Sequence, residues 1–277
     1  MTAQLDATGV AKSFGPVAAL RNASLSVRAG EVHALLGANG AGKSTLIKIL
    51  TGAVRPDRGK ILVRGAALSI HSPAGAIRAG MVPVYQEPAM IPDLSVADTL
   101  RLTATPVAPF TSLVADLGIG NLDLSAVGRD LPLATLRILD LARALAREPD
   151  VLILDEMTAA LPADLTERVL EVVARQADAG RSVIFISHRF AEIQAICHRA
   201  TVLRDGETVG VLDIAPGVEE AIVDLMLGGR VERSATVAAP AARPAGEAPR
   251  LRVRGLGVAG KLADVSLDLY PGEAVGV

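Results

Sequence analysis

Two short stretches hold the side chains best suited to chemistry. Gly37-Ala38-Asn39-Gly40-Ala41-Gly42-Lys43-Ser44 has the spacing of a phosphate-binding loop. Its glycines let successive backbone N–H groups curl around β- and γ-phosphates, Lys43 neutralises charge, and Ser44, followed by Thr45, offers a hydroxyl to Mg²⁺. The second stretch, Val151-Leu152-Ile153-Leu154-Asp155-Glu156, ends an apolar run in two carboxylates. Asp155 is suited to hold Mg²⁺ through water, and Glu156 to orient and deprotonate an attacking water. Together they point to phosphoryl chemistry on a nucleotide.

Such groups work only if secondary structure brings them to one place. Val32 to Leu36 reads as a strand feeding the glycine-rich loop, and Ser44 to Leu50 as the helix that follows. Ala23 to Leu36 as a whole reads strand, turn, strand, with the turn at Arg28-Ala29-Gly30. Short strands are expected at Ile61 to Val63 and Val82 to Tyr85. Beyond Leu131 the expected order is helix 131–146, strand Val151 to Leu154, helix Pro162 to Ala177, strand Ser182 to Ile186, helix Phe190 to Ile196 and strand Thr201 to Leu203. Alternating strands and helices with unbroken apolar runs (VLIL, VIFI) predict an α/β domain around a parallel sheet, which sets the carboxylates beside the first loop. Leu102 to Asp130 is irregular, and its prolines predict one modest helix, Thr111 to Leu117.

The bulk properties exclude several roles. A net charge of −2 argues against nucleic acid as a partner. The single cysteine, Cys197, leaves no internal disulfide and no cysteine metal cluster, as suits a reducing compartment. The first ten residues lack a signal-peptide pattern and no apolar run is long enough to cross a bilayer, so any membrane role is expected to be peripheral. Aromatics are 2% of a chain that is 50% hydrophobic, so the core is built from aliphatic side chains. His33, His71 and His198 have no chemical context and receive no role.

Residues 228–250 are rich in Ala and Pro without periodicity and read as a linker. Beyond them, Val265 to Val277 lines up without gaps on Ala23 to Leu35 at an offset of 242, as a second copy of the same domain would.

With these stretches in hand, the chain resembles the nucleotide-binding domain of ABC transporters. The resemblance implies an α/β P-loop NTPase (ABC ATPase) core with a parallel sheet, an N-terminal antiparallel β part and a small helical subdomain. It implies roles for further residues. Gln86, after VPVY, falls where the family carries a glutamine that touches Mg²⁺ and faces the transmembrane partner. His188, in IFISHR, falls at the histidine that reaches the γ-phosphate, and Phe14, in KSFGPVAAL, at an aromatic that stacks on adenine. Ala159-Ala160-Leu161 falls at the D-loop. The implied nucleotide site comprises Phe14, Gly37, Asn39, Gly40, Ala41, Gly42, Lys43, Ser44 and Thr45; the metal ligands are Ser44, Gln86 and Asp155; the catalytic groups are Glu156, His188 and Gln86. The implied cofactors are ATP and Mg²⁺.

GANGAGKSTLIKILTG, VYQEPAMIPDLSVADTL, DEMTAAL and VIFISHRFAEI resemble, more narrowly, the ATPases of bacterial importers of ribose, xylose and galactose, in which two such domains are fused. That implies a nucleotide-binding domain at 1–227 with its helical subdomain at about 95–147, the linker, and the first strands of a second domain at 251–277. The implied partners are transmembrane permease subunits, a substrate-binding protein and the second ABC domain, paired head to tail at the cytoplasmic face of the cell membrane. Fused nucleoside importers share these features. A soluble ABC protein acting on ribosomes or DNA would need a basic surface or a long coiled coil, and the sequence has neither.

The chain departs from the family at Leu131-Pro132-Leu133-Ala134-Thr135, where the resemblance implies an LSGGQ-like signature whose serine hydroxyl and glycine N–H groups grip the γ-phosphate bound by the opposite domain. Pro132 has neither hydroxyl nor N–H, and Ala134 adds a Cβ where the backbone must approach phosphate. Proline suits a first helical turn, so the helix is expected to survive while the phosphate grip is lost. Met157 replaces the usual proline, Pro162 follows the D-loop, and the stretch between Gln86 and Leu131 reads as short for a helical subdomain. A nucleotide-binding domain with little turnover is therefore the competing reading.

Overall fold

The structure is a computed structural model that describes residues 3–67, 72–229, 248–258, 262–273 and 275. The chain divides into two compact units, Met1–Arg230 and Val231–Val277.

In the first unit, β1 (Ala3–Phe14), β2 (Val17–Arg28) and β3 (Val32–Leu36) precede α1 (Lys43–Leu50). Then come β4 (Arg58–Val63), β5 (Ala66–Ala67), α2 (Pro73–Arg78), β6 (Met81–Val84), α3 (Val96–Leu102), α4 (Val107–Asp116) and α5 (Leu133–Leu145). The rest is β7 (Val151–Asp155), α6 (Ala163–Asp178), β8 (Ser182–Ile186), α7 (Phe190–Ile196), β9 (Arg199–Arg204), β10 (Glu207–Asp213) and α8 (Glu219–Leu227). Among the described residues these strands form one ten-stranded sheet in the order β5-β4-β1-β2-β10-β9-β3-β8-β7-β6. From β9 to β6 every pairing is parallel, whereas β1, β2, β4 and β5 pair antiparallel with one another; β10 joins the two parts, antiparallel to β9 and parallel to β2.

Alternation explains why β3, β7 and β8 are apolar at nearly every position. Leu36, Leu152, Leu154, Val183 and Phe185 enter a core on one face of the sheet, while Leu35, Val151, Ile153, Ile184 and Ile186 enter a second core on the other. The first core is completed by α3 to α7, the second by α1 and the antiparallel strands. Each fully buried aliphatic side chain contributes about 1.5–3 kcal/mol, so these strands anchor the loops at their ends.

The segment after Gln86 holds two helices, α3 and α4, plus a 3₁₀ turn at Gly128–Asp130, which corrects the expectation of one modest helix. The prolines are compatible because Pro106 is the N-cap of α4 and Pro109 lies in its first turn, where the missing N–H has no intrahelical partner to lose. Ser95 caps α3 by accepting from Asp98 N at 3.0 Å. Helix α5 begins at Leu133 with Pro132 as its cap, so the proline sits at the helix entrance as expected.

The second unit contains the hairpin β11 (Leu251–Val258) and β12 (Leu262–Leu269). The bulk of the 228–250 linker, residues 230–247, lies outside the described residues, as do Ala274, Gly276 and Val277 of the repeat.

Candidate nucleotide site

The glycine-rich loop joins the C-terminal end of β3 to α1, whose N-cap is Gly42 at φ 105°. Two positions demand glycine. A Cβ on Gly42 would lie 2.5 Å from Leu20 Cδ2 and 2.8 Å from the Ala19 carbonyl, and one on Gly37 would strike the carbonyl oxygen of Leu203. The helix therefore starts without a side-chain cap and directs its first N–H groups and dipole into the loop, the arrangement that receives phosphate. Lys43 Nζ donates to the carbonyls of Gly37 at 2.7 Å and Ala38 at 3.2 Å. Burial lowers its pKa from the ordinary lysine range, opposed by the charges of Glu156 and Asp155.

Parallel pairing brings the other groups to the same sheet edge. β8 lies between β3 and β7, and Asp155 at the end of β7 pairs in register with Ile186 of β8. Glu156 N then donates to Ile186 O at 3.0 Å, and Glu156 itself has a left-handed backbone, φ 50°, the kind of sparsely populated conformation found at functional turns. One turn beyond β8, His188 Nε2 lies 2.5 Å from Glu156 Oε1; the imidazole is 53% exposed and the carboxylate 22%. Burial raises the Asp155 pKa, the Glu156 charge adds to that, and Lys43, His188 and Lys48 act in opposition.

Asn39 to Thr45, Gln86, Glu156 and His188 line a single open cavity of about 660 Å³, with Val17, Ala18 and Ala19 on its wall. Gln86 lies two residues beyond β6, next to Tyr85, whose hydroxyl donates to Thr51 Oγ1 at the end of α1 at 3.1 Å. Gly37 lines a smaller adjoining cavity of about 60 Å³ together with Lys43 and His188. Phe14 does not line the main cavity: it ends β1, 49% exposed, with Lys12 Nζ 5.6 Å from its ring centre. His33 is fully buried between Glu31 and Thr201, and His198 Nδ1 accepts from Val32 N, both at the opposite end of β3; His71 lies outside the described residues.

Three side chains that brace this edge received no role from sequence. Arg137 of α5 donates to the carbonyl of Met157 at 2.8 Å and of Glu156 at 3.4 Å. Asp140 of α5 accepts from Ala89 N at 3.2 Å, just beyond Gln86, and pairs with Arg143. Glu192 of α7 bonds both Ser187 and Thr158. A charge inside an otherwise apolar helix face was the available signal. The first turn of α5, by contrast, has no side-chain cap, and Leu133 is half exposed.

A phosphate loop on an interior strand of the parallel part of the sheet, with two carboxylates at the end of the strand two places away, defines a P-loop nucleotide-binding domain. Comparison with known proteins sharpens this. A sequence model described as ABC transporter matches residues 20–159, and the chain belongs to that family as an ATP-binding domain. It is similar to a ribose import ATP-binding protein RbsA 1 of Mesorhizobium japonicum, 39% identical over 97% of this chain and 54% of that protein. A protein of the same name from Rubrobacter xylanophilus is 40% identical over 99% of this chain and 56% of its own length. The chain thus spans about half the length of the curated relatives it matches. Among solved structures, the ATP-binding subunit of an ABC transporter superimposes with a TM-score of 0.72 at 23% identity, over 80% of this chain and 99% of that one, which supports the shared fold.

Proposed function

We propose that this chain is the ATP-hydrolysing module of a monosaccharide importer. One observation carries the hydrolytic part: Gln86, Glu156 and His188, from the ends of three different strands, line the same cavity as the phosphate loop. A domain that merely bound nucleotide would need the loop alone. In the proposed reaction the loop amides and Lys43 hold the β- and γ-phosphates, Glu156 takes the proton of the attacking water at a carboxylate oxygen, and His188 fixes that carboxylate and contacts the γ-phosphate. Phe14 offers its ring to adenine from the end of β1.

Ser44 and Gln86 line the cavity and Asp155 ends β7, an oxygen set whose chemistry suits Mg²⁺. Among the described residues no three His, Cys, Asp or Glu converge as a metal cage, so an ion here would lean on phosphate oxygens, as Mg²⁺ does. Ser44, Gln86 and Asp155 would hold it, and when bound it would neutralise charge developing on the phosphates.

The relatives' names, which specify ribose import, support a monosaccharide as the cargo, and such import would call for permease and substrate-binding partners at the cytoplasmic membrane face. No helix among the described residues is long and apolar enough to cross a membrane. We infer a domain at 1–227, a linker at 228–250 and the start of a second copy at 251–277. The hairpins support this. Leu251↔Leu269, Val253↔Leu267 and Leu256↔Val265 repeat the pairings Leu5↔Val27, Ala7↔Leu25 and Val10↔Ala23, bulge included. Gly255 N donates to Ser266 Oγ at 3.0 Å, as Gly9 N does to Ser24 Oγ at 3.0 Å.

The uncapped, proline-led first turn of α5 favours a second element of this reading: in the head-to-tail pair, the site built on Lys43 and Glu156 is competent, while the site that borrows residues 131–135 is weakened. The test is direct. Lys43→Ala should lose ATP binding, whereas Glu156→Gln should keep binding and lose single-turnover hydrolysis by about a hundredfold or more. Hydrolysis undiminished in Glu156→Gln would refute the proposal.

A further inference from the structure

Glu192 is 5% exposed, and everything it bonds belongs to the two turns that carry Glu156 and His188. Its Oε2 accepts from Thr158 Oγ1 at 2.8 Å and from Ser187 Oγ at 2.6 Å. Arg189 Nη1 reaches its Oε1 at 3.2 Å, and Arg189 Nη2 the carbonyl of Ala159 at 3.4 Å. Thr158 lies two residues after Glu156, and Ser187 and Arg189 flank His188. A local serine turn accounts for part of this network: Ser187 Oγ accepts from Arg189 N at 3.1 Å just before α7, whose terminus has no side-chain cap bond, and Glu192 reaches back to the Ser187 hydroxyl. That turn does not account for Thr158, which comes from the loop after β7. A buried carboxylate is costly unless every lone pair finds a donor, and here the donors are drawn from both turns, so the arrangement ties one turn to the other.

We propose that Glu192 is a positioning residue that clamps the His188 turn to the Glu156 turn and thereby sets the 2.5 Å pair between them. The inference rests on the hydrolytic reading of that pair for its kinetic consequence, though not for its structural one.

Thr158→Val removes the bond from the Glu156 turn to Glu192 while leaving shape, the Ser187 turn and the longer Arg189–Ala159 contact intact, and Glu192→Gln weakens the whole clamp. In single-turnover hydrolysis each should slow the step by about tenfold, with MgADP affinity unchanged within about twofold. The double variant should be no slower than the worse single, because both changes break one link. Unchanged rates, multiplicative losses, or affinity falling in parallel with rate would overturn the clamp. A second readout needs no turnover: the His188 imidazole ¹⁵N resonance of the nucleotide-free chain, assigned with His188→Ala, should move in Thr158→Val, and a fixed resonance would overturn the clamp. If Glu156→Gln hydrolyses normally while that resonance moves, the hydrolytic role fails and the clamp stands. Should Glu192→Gln not fold, Thr158→Val alone decides.

Discussion

Asp140→Ala offers the sharpest test of how α5 supports the site. Asp140 is 1% exposed; its Oδ1 accepts from Arg143 Nη2 at 2.6 Å and Nε at 2.9 Å, and its Oδ2 accepts from Ala89 N at 3.2 Å. Removing it strands a guanidinium that is only 8% exposed. Arg147 is close enough for its pKa to be lowered, chiefly by burial and then by the Arg143 charge, so the stranded cation faces a second one. Breaking a buried pair from one side costs about 3–5 kcal/mol. For a unit of this size each kcal/mol shifts the midpoint by about 2–4 °C, which gives a fall of about 6–20 °C. Differential scanning calorimetry reads this directly. Asp140→Leu with Arg143→Met should recover most of the loss, because apolar groups of similar volume replace a buried pair at little net cost. A single-variant shift under about 2 °C, or a double variant worse than the single, would refute the reasoning.

Two further outcomes follow from the site. Asp155 has a folded pKa above its ordinary 3.8, so the proton it binds favours the folded state; that contribution is complete below about 3.8 and lost as pH rises through the raised value. Asp155→Asn should therefore melt higher than the parent at pH 7.5 without nucleotide, the gap closing on acidification, and a gap that widens would contradict the sign. Pro132→Ser with Ala134→Gly restores a hydroxyl and removes a Cβ at the start of α5, so turnover by a self-paired chain should rise by roughly tenfold or more, measured by phosphate release. An unchanged rate would show that the first turn of α5 is not what limits it.

The strands that carry the site were legible because their physics is local. VHALL, VLIL and SVIFI are apolar at nearly every position, which happens only when both faces of a strand are covered. The loop was legible because only glycine fits at 37 and 42. By contrast, β1 has repeated register shifts against β2, which break the alternation that would mark it, and α4 was hidden by two prolines that a helix accepts in its first turn. Glu192 and Arg137 were illegible for a different reason. Thr158 lies 34 residues before Glu192, and the Met157 carbonyl 20 residues beyond Arg137, so only the strand order brings the partners together.

Helix α5 would reconcile the proposed loss of a signature at 131–135 with the site proposed around Lys43, Glu156 and His188. Its body serves its own domain: Arg137 holds the carbonyls after β7, and Asp140 holds the backbone beyond Gln86. Its first turn makes no side-chain cap bond; Ala134 and Leu136 pack against the domain's own core, and in the proposed head-to-tail pair the turn faces the opposite nucleotide. Substitutions at 132–135 that preserve the packing of residue 134 can thus accumulate without disturbing Lys43, Glu156 or His188, whereas changes at 137 or 140 act on the proposed site of the same domain. A domain built this way can lose one function of a helix and keep the other, because the two are held by different turns.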